Sequence, residues 1–283
     1  MLNSYKLNSK VVENFNNTRL KLLFFPAILL LAIVFIIAQQ GAFSIDGYVE
    51  IQKEFFFYLN SKLSQHPSLQ YNLTQLGDAL ILFPLLTIFI VYAPKLWGAI
   101  LTSSIITLIV SFSLKKIFAV PRPAAMFDND SFTIIGKTLK GHTSLPSGHT
   151  ITAITIITIL LFAFMPKTVK YKWAWSGFIL LIGFVIVLSR VGVGAHFPLD
   201  VLFGSIIGYI SAIIGIIINN KISWWTWIEN KKTLPIFMLI LPIWGFLIIK
   251  KIIAINLVVF YFSLIALILA LYLIIKRYVR EKN

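Results

Sequence analysis

Three short stretches of this chain carry residue types and spacings suited to handling a phosphate. "KKIFAVPRP" holds Lys115 and, after six residues, Arg122. "SLPSGHT" holds Ser147, Gly148 and His149, and "SRVGVGAHFPLD" holds Arg190, His196 and Asp200. The chain has 4 histidines, and two of them fall here. Guanidinium forks match phosphate oxygens two at a time, and a lysine adds a point charge. Lys115, Arg122 and Arg190 therefore form a candidate anion grip. Ser147 precedes the apolar run "ITAITIITILLFAFM" and is placed to cap a helix there. The first-turn amides of that helix, opened by Gly148, make a second anion site.

Phosphoryl transfer needs charge compensation and an in-line nucleophile. His196 and Asp200 are four apart, so they share a face if a helix begins near Pro198. Asp200 then accepts a hydrogen bond from Nδ1 of His196, which fixes the tautomer and frees Nε2 for attack. His149, at the mouth of a different helix, is placed to protonate a leaving oxygen and later to activate water. Gly192 and Gly194 allow a tight turn beside the anion.

These stretches resemble the signature of the type 2 phosphatidic acid phosphatase family, whose core is shared with vanadium haloperoxidases. The family pattern is Lys, six residues, Arg-Pro; Pro-Ser-Gly-His; and Ser-Arg, five residues, His, three residues, Asp. Every position is matched in order, and the resemblance covers roughly residues 76–218. It implies that His196 is a nucleophile forming a phosphohistidine, that Asp200 orients it and that His149 is the acid/base. It also implies that Lys115, Arg122, Ser147, Gly148 and Arg190 hold the phosphate, with no metal and no cofactor.

The elements that position these residues read as membrane helices. Of the 283 residues, 58% are hydrophobic and 12% charged, and the mean hydropathy is +0.88. A soluble domain carries about a quarter charged residues. The expected fold is all-α: a polytopic membrane protein with a six-helix phosphatase core and about two extra C-terminal spans. Candidate spans lie near 22–38, 76–93, 96–114, 149–165, 173–189, 200–218, 234–249 and 252–275. The expected division is a cytoplasmic N-terminal segment (1–21), a membrane-embedded phosphatase domain (22–218), and a cytoplasmic loop with a hydrophobic extension (219–283). Residues 47–64 read as an interfacial helix with an aromatic face (Tyr48, Phe55, Phe56, Tyr58) lying on the membrane. Asp78 is expected to cap a helix, and His66 and His142 to sit at the surface.

The net charge of +15 comes mostly from basic residues flanking apolar segments, so lipid anchoring explains it better than nucleic acid. Basic 166–172, 219–232 and 276–283 belong in the cytoplasm with the N-terminus. That places the three stretches on the periplasmic or outer face of a bacterial inner membrane; Lys250 and Lys251 then fall outside, against the rule. With 0 cysteines, no disulfide or thiolate chemistry is available. The expected partner is a phosphorylated lipid: phosphatidic acid, phosphatidylglycerol phosphate, undecaprenyl diphosphate or a lipid A phosphate. A lipid phosphotransferase using the same intermediate, and a non-catalytic lipid transporter or scaffold, are the alternatives.

Overall fold

The computed structural model describes residues 2–280. Met1 and residues 281–283, the ends of the N-terminal segment and of the basic tail, lie outside the described residues. The helices are α1 (Leu2–Asn16), α2 (Phe24–Gln39), α3 (Ile45–Leu63), α4 (Pro67–Gln75), α5 (Ala79–Leu82), α6 (Phe89–Tyr92), α7 (Pro94–Phe118), α8 (Pro123–Met126), α9 (Gly148–Ala163), α10 (Val169–Gly192), α11 (Pro198–Lys221), α12 (Leu234–Ile255) and α13 (Val258–Arg280). Short 3-10 turns join some of them, and no strand occurs among the described residues. Six helical stretches are long and apolar enough to cross a membrane, and α9 is a shorter apolar helix. The chain is a multi-pass membrane protein. Large side chains such as Phe112 (72% exposed) and Leu108 (73%) point out of the bundle, as lipid-facing positions do.

The centre is a bundle of α7, α9, α10 and α11. Small residues bring its helices together, the usual device where lipid removes the hydrophobic drive between helices. A Cβ on Gly204 would come within 2.9 Å of the Ser147 carbonyl, and one on Gly208 within 2.8 Å of the Ile151 carbonyl. Thr155 in α9 also donates its hydroxyl to the Gly208 carbonyl at 3.1 Å. α11 can lie this close to α9 only because these positions lack side chains.

Two expected elements take a different form. The stretch 76–93 is not one continuous span: α5, a 3-10 turn at Pro84–Leu86 and α6 follow one another. Pro84 has no N–H for a helical hydrogen bond, and Pro94 opens α7. Residues 47–64 do form a helix (Ile45–Leu63), but part of its aromatic face is turned into the bundle. Tyr48, Gln52, Phe56 and Asn60 are buried, and α3 packs on α10 and α11. Phe55 and Tyr58 remain exposed.

At the opposite end of the bundle from the three stretches, α1 packs against α9 and α7. Asn14 donates to the carbonyls of Ala163 (2.9 Å) and Met165 (3.1 Å), satisfying the end of α9. The last two helices form a pair, and α13 rests on the Pro84–Leu86 turn.

Candidate active site

Asp200 stands at the third position of α11, after Pro198 at the first. Its Oδ2 accepts from the Phe197 amide at 2.9 Å, so the carboxylate caps its own helix and turns back over the entering chain. His196 lies just before the helix and meets Asp200 through this back-turn rather than across a helical face. Nδ1 of His196 is 3.5 Å from Asp200 Oδ2, and both side chains are buried.

Ser144 completes the contact. Its hydroxyl donates to Asp200 Oδ2 at 2.6 Å and lies 3.4 Å from His196 Nδ1. The other oxygen, Oδ1, accepts from the Tyr48 hydroxyl at 2.9 Å. Burial, and then Asp200, push the Tyr48 phenol well above its ordinary value, so it stays a donor. With three donors on Asp200, the imidazole N–H belongs on Nδ1, and the lone pair of Nε2 faces Arg122 Nη1 at 3.2 Å.

The cations surround that lone pair. Arg122 also donates to the Ala195 carbonyl at 3.1 Å. Lys115, in the last turn of α7, places Nζ 3.1 Å from where a Cβ on Gly148 would stand. A Cβ at 148 would push it by a few tenths of an ångström. Arg190 is buried; it donates to the Thr74 hydroxyl, and its Nε has no partner. A buried guanidinium N–H left open is costly, and a phosphate oxygen would satisfy it. Burial, then Arg122, Arg190, Lys115 and His149, hold His196 well below the ordinary imidazole value. His196 is therefore neutral at neutral pH.

Ser147 is the N-cap of α9, as its position suggested. Its hydroxyl oxygen accepts from the Thr150 amide (3.5 Å) and the Thr150 hydroxyl (3.0 Å), while its own amide donates to the Asp200 carbonyl at 3.1 Å. His149 lines a tight crevice with Arg190, Thr74 and Gly77. Gly77 is pressed onto it: a Cβ there would lie 2.6 Å from the His149 Cβ. The structure thus brings together Lys115, Gly148, His149, Arg190, Arg122, His196 and Asp200, with Ser147 beneath them. His142, Lys116, Lys137 and Lys140 are exposed, and Asp78 caps α5 by accepting from the Leu80 amide at 2.9 Å.

Sequence reasoning missed Tyr48, Ser144, Thr74 and Asn60. Asn60 ties Thr133 to the end of α10, donating to the carbonyls of Thr133 and Val191 at 3.0 Å each. A signal for the α3 residues does exist. Tyr48, Gln52, Phe56 and Asn60 recur every four positions, one stripe that mixes two amides with two aromatic rings instead of separating polar from apolar faces.

Beside the site runs a groove of about 820 Å³, lined by Phe83, Thr107, Ser111, Thr152, Lys115 and Gly148 among others. It is mostly apolar and opens between α7 and α9. A second apolar groove, about 560 Å³, lies between α2, α3, α10 and α11, behind Asp200.

A bundle of membrane helices here gathers cations around a buried, carboxylate-backed histidine, an arrangement suited to binding an anion. Residues 96–224 match the PAP2 superfamily. Bacitracin transport permease protein BcrC of Bacillus licheniformis is 40% identical over 70 residues, which is 25% of this chain and 30% of that protein. The chain thus matches under a third of that relative's length. The crystal structure of Aquifex aeolicus LpxE is similar with a TM-score of 0.49 and 28% identity, covering 59% of this chain and 94% of that one.

Proposed function

We propose that the protein is a lipid phosphatase of the outer face of a bacterial inner membrane, acting without a metal through a phosphohistidine. The observation that carries this reading is the His196 couple: Nδ1 tied to Asp200 and Ser144, with Nε2 directed into the cations. Arg122, Arg190, Lys115 and the amides opening α9 bind the phosphoryl oxygens. Nε2 attacks phosphorus in line as the bond to the leaving oxygen breaks. His149, which takes up a proton as the anionic substrate offsets the cations around it, gives that oxygen a proton, then takes one from a water that attacks phosphorus as the P–N bond breaks. Phosphate and a lipid alcohol, or a lipid phosphate from a diphosphate, leave. Asp200 stays ionised and stabilises the charge that builds on the imidazole.

The groove between α7 and α9 supports a lipid substrate, because it offers an apolar path ending at Lys115 and Gly148. Phosphatidic acid, phosphatidylglycerol phosphate, undecaprenyl diphosphate and lipid A phosphates all fit that description. A phosphotransferase would share every step up to the phosphohistidine. The name of the Bacillus licheniformis relative, a transport permease, favours a second reading as a lipid transporter. Such a protein has no use for an oriented nucleophile.

The test is phosphate release from these four lipid classes by purified protein in detergent containing a chelator. Release by the wild type and its loss in His196→Ala support hydrolysis. Equal release by His196→Ala would defeat the mechanism, and no release with any lipid would favour transport. Reporters fused at residue 170 and within 125–140 should read cytoplasmic and external, respectively; the reverse would overturn the orientation.

A further inference from the structure

The helix pair α12–α13 lies outside the matched segment, yet its end reaches the back of the site. Lys251 Nζ pairs with Asp78 Oδ2 at 2.5 Å, and both side chains are just over a quarter exposed. Three more contacts bind the same stretch. Trp244 donates to the Leu80 carbonyl at 2.9 Å, Ser263 to the Ile81 carbonyl at 2.8 Å, and the Val259 amide to Asn72 Oδ1 at 3.1 Å. These four polar contacts all fall within residues 72–81, next to the Pro84–Leu86 turn on which α13 rests.

That stretch has no regular structure long enough to hold itself. It runs from the end of α4 through Gly77 into α5, a single turn. It nevertheless presents two surfaces to the site. Gly77 is packed against His149 so closely that a Cβ would overlap its side chain and carbonyl. Thr74 receives the Arg190 hydrogen bond. A displacement of this turn therefore moves the wall against which the Cβ and carbonyl of His149 rest, and with them the base of its imidazole. Misplacement of a catalytic group by about 1 Å can cost a hundred-fold in rate.

We infer that Lys251 is a positioning residue: its pairing with Asp78 clamps the 74–80 turn and so fixes His149 for proton transfer to the leaving oxygen. The same contact explains why Lys250 and Lys251 break the charge rule for outer loops. Lys251 has an acid to meet on that face, while Lys250 lies over the Phe246 ring at 4.9 Å.

This inference rests on the phosphatase reading, and the experiment separates the two. Purified full-length wild type, Lys251→Met, Lys251→Arg, Asp78→Asn and Lys250→Met are assayed on whichever lipid phosphate the wild type hydrolyses, with thermal midpoints measured in the same detergent. Asp78→Asn keeps an oxygen to cap α5 and loses only the charge. Lys251→Met and Asp78→Asn should lower kcat roughly ten- to a hundred-fold with KM changed less than about two-fold. Lys251→Arg should recover most of the rate, and Lys250→Met should match the wild type. An inactive wild type sinks the phosphatase reading itself. An active wild type with undiminished kcat in both charge variants overturns the clamp. So does a loss carried wholly by KM, a fall in thermal midpoint that accounts for the lost rate, or failure of Lys251→Arg to restore it.

Discussion

The two histidines of the site are held in opposite ways. His196 is fixed by bonds: Ser144 and Asp200 meet Nδ1, Arg122 faces Nε2, and Tyr48 and the Phe197 amide secure Asp200 in turn. The His149 ring makes no hydrogen bond among the described residues; its Cβ and carbonyl pack against Gly77, and the residue lines a crevice with Arg190 and Thr74. The contrast follows from the proposed work of each. A nucleophile needs one tautomer and one lone-pair direction before substrate arrives. A proton shuttle finds its partners in the substrate and the water, and a fixed internal bond would compete with them.

Variants on the two sides should therefore behave differently. The largest expected effect is His196→Ala, with phosphate release falling at least about a thousand-fold for every substrate, because no other group supplies the nucleophile. His149→Ala should cost about a hundred- to ten-thousand-fold on alkyl phosphates. It should cost much less on an aryl phosphate, whose leaving oxygen needs no proton; equal losses on both would remove His149 from the acid role. Tyr48→Phe removes one donor from Asp200 and should lower kcat about ten-fold, the factor that 1.4 kcal/mol represents. The same substitution should leave the alkyl-to-aryl ratio unchanged, since it acts on the nucleophile side.

The smallest effect is a shift in pH. His196 must be neutral to attack, and its depressed value puts the acid-side limb of kcat/KM below the ordinary 6.5. Arg122 is the largest electrostatic cause after burial. Removing its charge favours the imidazolium, so in Arg122→Ala the limb should move up in pH on the residual activity. A limb that stays put or moves down would show that the group titrating there is not His196.

The site was legible in the sequence where chemistry is written in short spacings. Lys115 to Arg122, Ser147 to His149 and Arg190 to Asp200 each fit within twelve residues, and the fold gathers all three. The supporting residues were not legible because their partners are distant in the chain. Tyr48 and Asp200 are separated by 152 positions, Ser144 and Asp200 by 56, and Thr74 and Arg190 by 116. Hydropathy located the long helices well, since length and apolarity are local properties. It overread 76–93, where apolar side chains continue through Pro84 although the backbone hydrogen bonds cannot. It did not show that α3 packs on the bundle, because an aromatic face looks alike whether it meets lipid or the flank of another helix.

The register of α9 against α11 sets the depth of the reaction. Ser147 meets Asp200 through its amide and lies against Gly204 through its carbonyl. The mouth of α9 therefore begins two to six residues down α11, roughly 3–9 Å along its axis. On the proposed reading the phosphorus sits below the start of α11 by that offset, in a recess between the two helices. The two products then part in different directions: inorganic phosphate rises out of the recess into water, and the dephosphorylated lipid slides sideways into the leaflet it came from.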